Sequence, residues 1–121
     1  MGVEFRASIG TGIRIPESFL DALDTDEEGS IEVLERLLGS DFKHLTYLTG
    51  GSYWGSTPIE YVVVGKSTTV SINDDDGSVR QVNGLGTLTL DERRDLMAFG
   101  LAVNLPDELN FVETYVTTLW H

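Results

Sequence analysis

The sequence predicts an α+β fold: a mostly antiparallel sheet of five or six strands with about three helices, in one domain over residues 1–121. Short runs of alternating or β-branched residues, punctuated by glycines and an Asp-Gly turn, predict the sheet. Three stretches of helical spacing bounded by start and stop signals predict the helices. No repeat, low-complexity stretch or long linker divides the 121-residue chain, which is large enough to bury a core without staples.

Val3 to Ile9 alternates apolar and polar residues, as a half-buried strand does, and Gly10-Thr11-Gly12 is expected to end it. Pro16 suits the first turn of a short helix through Leu23. After an acidic break from Asp24 to Gly29, Ile31, Leu34 and Leu38 fall on one helical face, widened by Val33 and Leu37, and Gly39 is a suitable stop. His44 to Thr49, Ile59 to Gly65, Thr68 to Asn73 and Ser78 to Asn83 read as strands of a meander of hairpins. Thr89 and Glu92 have capping-box spacing and open a helix through Leu96, Phe99 and Val103 that stops before Pro106. The tail from Phe111 to Trp120 has apolar groups on both alternating sets, which predicts a central strand covered on both faces.

Composition bounds the function. With 20 acidic and 8 basic side chains the net charge is −12, and Arg93-Arg94 are the only adjacent basic residues. Such a chain lacks the positive footprint that neutralises phosphates, so neither nucleic acid nor an anionic membrane surface is an expected ligand. No apolar run, Val62-Val63-Val64 included, approaches the roughly 18 residues of a membrane span. The acidic start, without an apolar stretch, shows no signal peptide, and a cytoplasmic protein is expected. With no cysteine there is no disulfide, thiol nucleophile or thiolate metal site.

Several motifs resemble chemistry without completing it. Val62-Val63-Val64-Gly65-Lys66-Ser67 is similar to the end of a phosphate-binding loop, but Glu60 stands where that loop needs glycine. Gly10-Thr11-Gly12 lacks the third glycine of a dinucleotide fingerprint because Ile15 occupies that place. Asp24, Asp26, Glu28, Glu32 and Glu35, with Gly29, match most of a calcium-loop pattern, but Arg36 follows where an apolar residue is usual and no second loop pairs with it. His44 and His121 have no ligand-like neighbours, and no nucleophile elbow or triad is present. No catalytic residue, cofactor or metal site is therefore assigned, and the chain is expected not to be an enzyme.

Two features suggest binding. Residues 17–41 hold nine carboxylates (Glu17, Asp21, Asp24, Asp26, Glu27, Glu28, Glu32, Glu35 and Asp41) against Arg36 alone, −8 of the total −12. Asp21 with Asp24, and Glu28 with Glu32 and Glu35, would form rows at one-turn spacing. Such a face steers a protein onto a basic surface and competes with nucleic acid there. The second feature is the loop from Gly50 to Pro58, whose Tyr53 and Trp54 either anchor a partner or fold back over the sheet.

The expected function is thus a small acidic non-enzymatic inhibitor that occludes a basic, nucleic-acid-handling protein, with Asp21, Asp24, Asp26, Glu27, Glu28, Glu32, Glu35, Tyr53 and Trp54 at the interface. A small, cysteine-free, motif-poor chain of this kind fits the style of phage and mobile-element inhibitors. The alternatives are a nucleotide-like small-molecule binder, using Gly10-Thr11-Gly12, Arg14, Tyr53 and Trp54, and a single calcium-loop module.

Overall fold

A computed structural model describes residues 5–24, 27–52, 59–73 and 87–120. Its architecture is α+β, with one antiparallel sheet and three α-helices. The strands are β1 (Phe5–Pro16), β2 (Leu45–Ser52), β3 (Glu60–Gly65), β4 (Val70–Asn73) and β5 (Glu113–Trp120). The helices are α1 (Glu17–Leu23), α2 (Ser30–Leu38) and α3 (Leu90–Ala102).

β1 organises the sheet because it pairs along both sides. β5 runs antiparallel along one side, from Phe5↔Trp120 to Gly12↔Glu113. On the other side β3 pairs with residues 12–16 and β4 with residues 6–9, both antiparallel. β4 therefore continues β3 along the same side of β1, and the two are not a hairpin. The five strands occupy only four lateral positions, β2, β3 with β4, β1 and β5, fewer than the five or six expected. A 3₁₀ turn at Lys66–Thr68 separates β3 from β4 and shifts the register on β1. The buried Thr68 hydroxyl accepts the Thr11 N–H there and donates to the Gly65 carbonyl, tying the break to both β1 and β3.

β2 pairs antiparallel with β3, and its end meets β5 in a short parallel pairing at Gly51↔Leu119 and Ser52↔Trp120. The sheet thus curls back on itself. The curl explains Gly10 and Gly12, which lie inside β1 and do not end it. A Cβ on Gly12 would sit 1.8 Å from the Val63 carbonyl oxygen, so no side chain fits where β1 crosses β3.

Two apolar clusters fill the two faces of the sheet. On one face Ile13, Ile15, Leu45, Tyr61 and Val63 pack against Leu20 of α1, Val33, Leu34 and Leu38 of α2, and Leu96 and Phe99 of α3. On the concave face Leu48, Val62 and Val64 form a smaller cluster with Tyr115. All three helices lie on the first face. β5 is not covered on both faces as its composition suggested: Val116 is 67% exposed, and Val112 just before the strand is also exposed. On the concave face Tyr115 of β5 packs against the smaller cluster.

Helix boundaries follow local chemistry. The Thr89 side chain accepts from the Glu92 N–H at 3.1 Å while the Glu92 carboxylate accepts from the Thr89 N–H at 2.9 Å, the capping box read from the sequence. Gly29, at φ 101°, precedes α2 in a conformation that suits glycine. The residues expected to form a strand from Ser78 to Asn83 lie outside the described residues.

Candidate functional site

The acidic flank is built by α1, α2 and the loop between them. Helix α1 ends at Leu23 and α2 begins at Ser30, so Asp24 and Glu28 belong to the connection. The expected rows of charge at one-turn spacing are therefore broken. Asp24 is instead a loop brace: its carboxylate accepts from the Glu28 N–H at 2.9 Å and the Gly29 N–H at 3.0 Å.

Other carboxylates of the flank are tied to the fold. Ser30 donates to Glu17 at 3.2 Å and shares a 2.7 Å hydrogen bond with the Tyr61 hydroxyl, joining both helices to β3. Tyr47 of β2 donates to Glu35 at 2.8 Å. Burial, and then that bond to Glu35, push the Tyr47 hydroxyl up to about 12. Glu28 pairs with Arg36 at 3.3 Å. That pair neutralises the Glu28 carboxylate, whereas the hydroxyl donors leave the charge of Glu17 and Glu35 in place. Asp21, Glu27 and Glu32 are exposed and hold no ion pair or side-chain hydrogen bond among the described residues. They form the outward part of the flank.

Asp26, Tyr53 and Trp54 lie outside the described residues. Among the described residues no three acidic or histidine side chains are placed to hold a metal ion. Two oxygen-bearing positions of the calcium-like pattern, Glu28 and Glu35, are engaged with Arg36 and Tyr47.

The Gly10-Thr11-Gly12 stretch is not a phosphate cradle. It lies within β1, where Gly12 is in register with both Glu113 and Val64, so it offers no loop for a nucleotide-like ligand. Arg14, the proposed companion of that ligand, is ion-paired with Glu60 across the strands. The hydrogen bond that the guanidinium donates to Glu60 is the main reason its pKa lies above the usual value.

The Gly65-Lys66-Ser67 turn does bind an anion, but one from the chain itself. Ser67 donates its N–H to the Glu92 carboxylate at 2.8 Å, and its hydroxyl donates to the same group. Glu92 is only 3% exposed and also takes the Thr89 N–H. Burial alone pushes this carboxyl up, but the bonds from Ser67 and Thr89 outweigh it and hold the group below its usual value. Glu92 therefore latches α3 to the end of β3. Its capping role was visible as a spacing; its bond to Ser67, 25 residues away in sequence, was not.

The second exposed feature was not anticipated from the sequence. Leu90, Arg93, Arg94, Met97 and Leu101 fall within about 100° of arc on α3, the side away from Leu96 and Phe99. Leu90, Met97 and Leu101 are 63%, 70% and 75% exposed. Beside them a cavity of about 440 Å³ opens between α3 and the start of β5, lined by Thr11, Leu88, Arg93, Met97, Val112, Glu113 and Thr114. A smaller hollow of about 170 Å³ on the concave face holds Arg14, Glu60 and Tyr115. The signal for the outer stripe lay in α3 itself, whose apolar residues occupy both sides.

Comparison with protein-family models, curated proteins and solved structures finds no significant match to this chain. Among the described residues no helix is long and apolar enough to cross a membrane.

Proposed function

We propose that the protein is a small, non-catalytic cytoplasmic inhibitor that docks on the basic surface of a nucleic-acid-handling protein and blocks it. One observation carries this reading. Among the described residues Asp21 on α1, Glu27 in the loop and Glu32 on α2 project unpaired from a flank in which Glu17, Asp24 and Glu35 brace the fold. Opposite patches speed encounter and fix orientation, while the neighbouring bulk supplies steric occlusion. Asp24 and Glu35 contribute potential and hold the flank's shape, and Glu28 holds it through Arg36; Asp21, Glu27 and Glu32 make the contact. Asp26, Tyr53 and Trp54, outside the described residues, remain part of the proposed contact set from the sequence. A source in a phage or mobile element fits this mode of action.

The test is affinity capture from lysate with the wild-type chain and with D21N/E27Q/E32Q. The reading predicts a nucleic-acid-binding protein retained at low salt, released at high salt, displaced by DNA or RNA, and lost with the triple variant. Retention that is indifferent to salt and to the triple variant would overturn it, because screened or deleted charges cannot steer.

A further inference from the structure

No further inference is drawn: the strongest candidate, the apolar trough between α3 and the start of β5, is lined by one charge of each sign, Arg93 and Glu113, and nothing in the structure shows what covers it.

Discussion

Helices α2 and α3 lie on the same face of the same sheet and solve the packing problem differently. In α2 the division is clean: Val33, Leu34 and Leu38 are buried, while Glu32, Glu35 and Arg36 face solvent. In α3 the buried side holds a carboxylate, Glu92, together with Leu96, Phe99 and Gly100, and the outer side holds Leu90, Met97 and Leu101. Folding alone explains which side of the first helix is apolar. The second carries one feature that costs free energy unless it is hydrogen-bonded, and another that folding does not use. Glu92 is hydrogen-bonded, by Ser67 and Thr89.

The largest effects should come from the buried sides, where the two helices behave alike. Phe99→Ala, which removes the ring that meets Phe42 edge-on at 5.4 Å, should cost about 3–5 kcal/mol, and Leu34→Ala about 2–5 kcal/mol, measured by denaturant unfolding. A much smaller loss at either position would mean that its helix is not docked as described.

The latch under α3 comes next. Glu92→Gln should cost about 1–3 kcal/mol, since a neutral amide replaces an ionised acceptor of several bonds. Its folded pKa lies below that of the unfolded chain, so the unfolded state takes up the proton first as pH falls. The stabilisation is therefore present above the unfolded carboxylate value, about 4.3, and is lost as pH falls through the folded value. The glutamine variant should lose that part of the pH dependence, which unfolding curves at a series of acid pH values will show.

A smaller effect sharpens the picture of α2. Tyr47→Phe removes the bond to Glu35 and should cost about 0.5–1.5 kcal/mol. Because the folded hydroxyl is raised from 10.0 to about 12, its contribution is present below pH 10 and fades as pH rises through about 12. Spectrophotometric titration of the wild type against this variant isolates the tyrosine. Smallest of all, Met97→Ser and Leu101→Ser should each change stability by no more than about 0.5 kcal/mol, because both side chains are already in water.

The same contrast explains what was legible in the sequence. α2 could be read from its face and α3 from its cap, because each signal is local. The class of fold followed from such signals. The lateral arrangement of strands did not: Gly65 reads as a hairpin turn, yet Thr68 and Ser67 make it a break within one strand position, through bonds to Thr11 and Glu92 far away in sequence. Gly10 and Gly12 read as a loop because glycine usually ends a strand, and only the close crossing of β1 over β3 shows why they sit within one. The acidic content of residues 17–41 was plain, but composition could not separate the bracing carboxylates Asp24 and Glu35 from the outward Asp21 and Glu32.

The central claim is that this small protein binds and inhibits through a surface that folding does not need, the acidic flank. The most direct measurement is quantitative capture from one lysate with three baits: the wild type, D21N/E27Q/E32Q, and M97S/V112S. The account predicts that the triple variant loses a salt-sensitive nucleic-acid-binding protein that M97S/V112S retains, and that every bait melts at the same temperature. An identical set of captured proteins from all three baits would contradict it.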